Sequence, residues 1–140
     1  MNTRNQFISR ALNEFRERIS EHSPFNQESL SEEDQDFIDT LNLLIQAVQQ
    51  QSVHYAFQGQ DLLTRFIRCY PNLTPLIRRE LLWFIGGECL HYLGDEEVYL
   101  FQELEERLYT LESQHTDVDI EAEIKSLRET MNHSTNQTKH

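Results

Sequence analysis

The chain has 140 residues and a formal net charge of −12, from 24 acidic and 12 basic residues. The length suits one domain, and the charge argues against direct binding to nucleic-acid phosphates or anionic membrane surfaces. Glycine (4) and proline (3) are too scarce for the turns of a sandwich or barrel, so the fold class is all-α.

The expectation is five to six antiparallel helices over residues 1–131, as an irregular bundle or a short right-handed stack. In the first helix Phe7, Ala11, Phe15 and Ile19 recur every four residues and share one face. A break over Glu21 to Leu30 follows. Ser31 caps the second helix, and Glu32, Glu33 and Asp34 suit the positive end of its dipole. Phe37, Leu41, Leu44, Ile45, Val48, Ser52 and Tyr55 then keep the helical period, which predicts one long helix ending near Gly59.

A short third helix carries Leu62, Leu63, Phe66, Ile67 and Tyr70, and Pro71 stops it. Thr74 as cap and Pro75 at the first position predict a fourth helix with Ile77, Leu81, Phe84, Ile85 and Tyr92, ending before Gly94. Gly86 and Gly87 would lie inside it, where each costs about 1 kcal/mol against alanine, so close helix packing is the expected compensation. Asp95, Glu96 and Glu97 open a fifth helix with Phe101, Leu104, Leu108 and Leu111 in its stripe. Thr116 or Asp117 opens a sixth with Ile120, Ile124, Leu127 and Met131. Residues 132–140 are polar and without pattern, and are expected to be a disordered tail.

No stretch approaches the roughly 18 apolar residues of a membrane span. The N-terminus lacks the apolar run of a signal peptide, and Cys69 and Cys89 sit in apolar helical contexts as reduced thiols. The expected location is cytoplasmic.

Gly59 and Gly94 are 35 residues apart, and each follows a His-Tyr pair, His54-Tyr55 and His91-Tyr92. Trp83, Gly87, Gly94 and Asp95 have the spacing W-x3-G-x6-G-D, which resembles helix A and the turn of a tetratricopeptide repeat. Tyr99 falls where that family carries a small alanine. The segment from Glu88 to Gly94, followed by an acidic helix, is similar to the C-terminal part of small tetratricopeptide-like chaperones of type III secretion systems. That resemblance implies a concave helical groove holding a partner polypeptide.

Catalytic motifs are missing: there is no Gly-rich phosphate loop, nucleophile elbow, HExxH or CxxC. Glu88/His91 and Glu112/His115 have the Glu-x-x-His spacing of di-metal bundles, but Glu14, Glu17 and Asp39 are the sole loose candidates for the remaining ligands. Histidines near helix ends more often bond free carbonyls. The expectation is therefore no enzyme, no metal and no cofactor.

Residues 28–39 hold six acids and no base, and residues 95–129 hold twelve acids against Arg107, Lys125 and Arg128. Residues 60–93 are nearly neutral, with Arg65, Arg68, Arg78 and Arg79. Phe57, Phe66, Tyr70, Trp83, Phe84, Tyr92, Tyr99 and Phe101 crowd into 45 residues, more rings than a small helical core shelters. Aromatics and arginines anchor interfaces. The expected partner surface is Phe57, Arg65, Arg68, Arg78, Arg79, Trp83, Tyr92, Tyr99 and Phe101.

Three functions follow. The favoured one is a non-catalytic adaptor or chaperone that holds a partner's amphipathic helix in an apolar groove of the middle helices. The second is an acidic nucleic-acid mimic that blocks a basic DNA- or RNA-binding protein. The third is a small helical-bundle metal protein using Glu88 and His91. A homodimer through the same apolar face is compatible with each.

Overall fold

A computed structural model describes residues 3–114 and 118–138, with side chains up to residue 132. The described residues are all-α, without a strand. They form α1 (Thr3–Ser20), α2 (Glu32–Gln49), α3 (Tyr55–Cys69), α4 (Arg79–Ile85), α5 (Asp95–Ser113) and α6 (Ile120–Thr138). Two 3-10 segments, Pro71–Leu76 and Gly87–Tyr92, flank α4. Internal contacts group the chain into two compact units, Met1–Leu93 and Gly94–His140.

In the first unit α1 to α4 pack in sequence. Asn5 of α1 donates to the Val48 carbonyl of α2 (3.3 Å), and Arg16 donates to Asn42 (2.6 Å), so residue numbers run in opposite directions along the pair. The α2–α3 pair is antiparallel too: Tyr70 donates to Asp34 (2.6 Å) and Arg65 to Asp36 (2.9 Å). Phe7, Ile8, Leu12, Phe15 and Ile19 of α1 are buried against this framework. Phe15 meets Phe66 at 4.9 Å between ring centroids, Phe37 meets Phe66 at 5.4 Å, and Phe25 meets Tyr70 at 4.8 Å. Such ring pairs add about 0.5–1.5 kcal/mol each beyond area burial. Phe25 thereby anchors the segment between α1 and α2.

Local chemistry explains the boundaries. Ser31 accepts the Asp34 amide (3.2 Å), so the cap read from sequence is present. The second helix does not reach Gly59. It ends at Gln49 because Gln51 adopts φ +56°, and the chain closes with Ser52 N–H to Ala47 O (2.9 Å) and Gln51 N–H to Val48 O (3.1 Å). These are the two bonds of a Schellman closure, here with glutamine where glycine is usual. Gly59 instead sits buried inside α3.

The fourth helix is also corrected. Pro75 lies within the 3-10 segment and not at a helix start, and α4 begins at Arg79. Gly86 is its C-cap and Gly87 takes φ +53°, so the pair ends α4 and does not lie within a helix. A Cβ on Gly86 would collide with the Leu82 carbonyl, and one on Gly87 with the Gln60 side chain. Gly59 lets α3 approach α4 closely. There a Cβ would stand 2.9 Å from Ile85 Cβ and 2.9 Å from its Cδ1.

The second unit is a hairpin. Phe101, Leu104, Leu108 and Leu111 on α5 and Ile120, Ile124, Leu127 and Met131 on α6 alternate three- and four-residue steps, the spacing of a coiled-coil seam. Arg107 Nη1 donates to Glu123 (3.2 Å) across it, and the helices are antiparallel, because Leu100 shares a furrow with Met131 while Leu111 shares one with Glu123. Glu97 accepts the Gly94 amide (3.2 Å), and Asp119 accepts the Ala122 amide (3.2 Å). Thr116 and Asp117, the expected openers of the sixth helix, lie outside the described residues. The backbone of α6 runs to Thr138, past Met131, where the apolar pattern stops.

Candidate protein-interaction surface

The residues expected to meet a partner separate into three groups. The arginines mostly serve the fold. Arg65 donates to Asp36 and to the Glu33 carbonyl (3.2 Å), and its guanidinium lies 5.7 Å from the Phe37 ring centroid. Arg78 Nε donates to buried Glu80 (2.9 Å), its Nη1 is 3.6 Å from Glu14, and its guanidinium stands 5.0 Å from the Phe7 ring. Arg79 donates to the Tyr92 carbonyl (2.6 Å), which ties the last 3-10 segment back to α4. Arg68 is exposed. Sequence spacing could not show that the other three find acceptors within their own unit.

The rings also divide. Phe101 is fully buried, and Phe66 likewise, so neither is available to a partner. Trp83 and Phe84 are half-buried, with Phe84 edge-on to Phe7 at 5.6 Å. Tyr92 stacks beside His91 at 4.2 Å and keeps 44% of its surface exposed. Phe57 is 73% exposed and Val53, four residues earlier, is 88% exposed. Both stand at the corner where α2 gives way to α3, because the Gln51 closure turns the chain there and α3 starts at Tyr55.

A signal at this corner went unread in the sequence. From Thr40 to Gln60 there is no Asp, Glu, Lys or Arg, although charged residues make up 26% of the chain. Those 21 residues form the end of α2, the corner and the start of α3. Beneath the corner a polar cluster is fully used: Asn5 accepts from the Tyr55 hydroxyl (3.2 Å), and Gln49 donates to Ser9 (3.4 Å). Burial pushes the Tyr55 phenol up, and the Arg4 charge partly offsets that. The corner is thus held from below, while Val53 and Phe57 point outward.

The grooves seen in the hairpin unit carry no residue of α2, α3 or α4. One, of about 400 Å³, includes Tyr99, Leu127 and Met131; another, of about 410 Å³, includes Glu106, Thr110 and Leu111. Tyr99 is 55% exposed. Of the expected surface residues, Phe57 and Tyr99 therefore lie on different units, and Phe57 shares the α2–α3 corner with exposed Val53.

Glu88 and His91 lie on the 3-10 segment after Gly87, where the His91 ring donates to the Glu88 carbonyl (2.6 Å). His115 lies outside the described residues. Among the described residues no group of three or more His, Cys, Asp or Glu could hold a metal ion. Cys89 is buried with the Thr64 hydroxyl at 3.4 Å, and Cys69 is exposed; both are free thiols. Among the described residues no helix is long and apolar enough to cross a membrane.

Comparison with known families settles ancestry, because the model of one family matches residues 1–138. The chain belongs to the PA2817-like family. No curated protein and no solved structure matches it. Membership covers both units of the chain and brings no activity with it.

Proposed function

We propose that this PA2817-like chain is a non-catalytic protein-binding module, of the adaptor or chaperone kind, whose partner contact centres on the α2–α3 corner. One observation carries the reading. Val53 and Phe57 are 88% and 73% exposed, four residues apart in sequence, inside a 21-residue run without Asp, Glu, Lys or Arg. Single exposed apolar residues are ordinary, and Leu43 on α2 needs no account of its own. An exposed valine and phenylalanine in a segment without charged residues match the composition of an interface centre, which is depleted in charge and rich in aromatics. Burying the two side chains would contribute roughly 1.5–3 kcal/mol each.

The resemblance of Trp83, Gly87, Gly94 and Asp95 to a tetratricopeptide repeat points the same way, toward a helical partner, even though α4 and the following 3-10 segment replace a continuous first helix. The two free thiols suit a reducing, cytoplasmic setting. The test is co-purification from the native host of the wild-type chain and of the Val53→Asp/Phe57→Glu variant. The reading expects a stoichiometric companion with the wild type, lost from the variant while far-ultraviolet circular dichroism stays unchanged. Equal retention by both chains, or a wild-type chain isolated alone, would count decisively against it.

A further inference from the structure

The side-chain amide of Asn5 has partners on both sides of the α2–α3 corner. Its Nδ2 donates to the Val48 carbonyl near the end of α2 (3.3 Å), and its Oδ1 accepts from the hydroxyl of Tyr55, the first residue of α3 (3.2 Å). Asn5 is 4% exposed, so this amide is withdrawn from water and bonds to groups that the fold supplies. The Val48 carbonyl also accepts the Gln51 amide (3.1 Å), one of the two bonds that close the chain after α2. Gln51 makes that closure at φ +56°. Residues with a Cβ rarely adopt this conformation, and glutamine lacks the short side chain with which asparagine and aspartate ease it. The turn therefore needs support from elsewhere. One helical turn beyond Asn5, buried Ser9 accepts from Gln49 (3.4 Å), so α1 grips the last turn of α2 at a second point. Tyr55 stands midway in sequence between Val53 and Phe57, the two exposed apolar residues of the corner.

We infer that Asn5 is the positioning residue of the α2–α3 corner: its one amide holds the Gln51 turn and the start of α3 in a single arrangement, and so presents Val53 and Phe57 to a partner protein as a preformed surface. The inference rests on the corner being the partner contact. Asn5 is buried and acts through Val48 and Tyr55, without touching the partner. Residues 50–54 between the helices would otherwise have to be ordered as the partner binds, and that loss of freedom subtracts directly from affinity. The clamp from α1 orders them in the free chain. Support for the turn can also come from the backbone itself, because glycine at position 51 adopts the left-handed conformation without hindrance. Loss of the clamp and gain of that glycine should therefore offset each other, although the two residues lie on different elements.

The test follows amide hydrogen exchange of the full chain together with the yield of the companion that co-purifies from the native host. Asn5→Ala should speed exchange of the Gln51 and Ser52 amides about tenfold, the effect of losing roughly one hydrogen bond from the local closed state. The amides of Leu12 and Leu41 in the same unit, and of Leu104 and Ile124 in the hairpin, should keep their rates. Tyr55→Phe removes one half of the clamp with the ring retained, and should speed the same two amides about threefold; it serves also if Asn5→Ala fails to fold. Both variants should lose companion in the order of their exchange rates. Gln51→Gly added to either should restore the slow exchange and the companion, which a residue that merely filled the core would not allow. Unchanged exchange at Gln51 and Ser52, faster exchange throughout Met1–Leu93, or no rescue by Gln51→Gly would overturn the inference. Full retention of the companion by the loosened variants would overturn it alone. A wild-type chain without a companion would remove the corner as a contact and this inference with it.

Discussion

Replacing Gly59 with alanine tests the geometry that brings α3 against α4. The new Cβ would lie 2.9 Å from Ile85 Cβ, 2.9 Å from Cδ1 and 3.2 Å from Cγ1, whereas real Cβ contacts essentially never fall below 3.0 Å. Carbon atoms settle at about 3.5–4.0 Å, so the two helices must part by most of an ångström or Ile85 must move. The Ile85 Cβ is fixed to its own backbone and cannot swing aside. Alanine gains about 1 kcal/mol of helix propensity over glycine. Overpacking of a fitted contact costs about 1–3 kcal/mol, and a clash with a Cβ belongs at the upper end. The expected net loss is about 1–2 kcal/mol, or roughly 0.7 M in the urea midpoint at an m-value of about 2 kcal/mol/M. Trp83 is the chain's one tryptophan and lies in α4, so its fluorescence reports this contact directly. In the Gly59→Ala/Ile85→Ala double variant the added methyl group partly fills the cavity, so the loss should be smaller than the sum of the single losses. A Gly59→Ala chain as stable as the wild type, or more stable by the propensity gain alone, would refute the close approach.

Gln51→Gly should stabilise the chain by about 0.5–1 kcal/mol, because glycine adopts the left-handed closure without the Cβ penalty; thermal unfolding measures it. Tyr70 has its phenol pushed well up, first by burial and then by its hydrogen bond to Asp34. A raised folded value means that the stability it contributes is complete below the ordinary phenol value of about 10 and is lost as pH climbs through the raised one. Tyr70→Phe should therefore lower stability at pH 7 by about 1 kcal/mol and flatten the alkaline limb of the stability curve above about pH 10, read by urea titrations at stepped pH. Arg78→Ala withdraws a charged donor from buried Glu80 and uncovers Phe7, and should cost about 2 kcal/mol in chemical denaturation. Phe57→Glu should leave the unfolding midpoint unchanged within about 0.5 kcal/mol, as expected of a side chain 73% exposed.

The elements that sequence made legible are those whose signals are local. Phe7, Phe15 and Ile19 mark one face of α1, Ser31 caps α2, and the Asp95-Glu96-Glu97 run opens α5, all without help from distant residues. The misread boundaries have a common cause. The helical period runs from Val48 through Ser52 to Tyr55, and the closure at Gln51 leaves no trace in that pattern. Gly59 read as a stop because glycine usually ends helices, but its reason lies in Ile85, 26 positions away. Gly86 and Gly87 read as interior for the converse reason, since Leu81 to Tyr92 kept a helical period.

The candidate surface was half legible. A surplus of rings was visible, and Phe57, Tyr92 and Tyr99 do remain exposed. Which rings would be covered was not visible: Tyr99 and Phe101 are two positions apart on one helix, which sends them to nearly opposite sides, and Phe101 is the one the core takes. The acceptors of Arg65, Arg78 and Arg79, which are Asp36, Glu80 and the Tyr92 carbonyl, are set by folding and not by neighbourhood in sequence. The absence of charge from Thr40 to Gln60 was open to view, and gained meaning once Val53 and Phe57 stood outside the core.

The most direct measurement places a photo-reactive phenylalanine analogue at position 57 in one chain and at Arg10, an exposed position on α1, in another, and irradiates both in the native host. The account predicts a single adduct of defined mass and near-stoichiometric yield from position 57, absent from position 10 and abolished by Val53→Asp. Adducts of equal yield and pattern from both positions, or none from position 57, would contradict it.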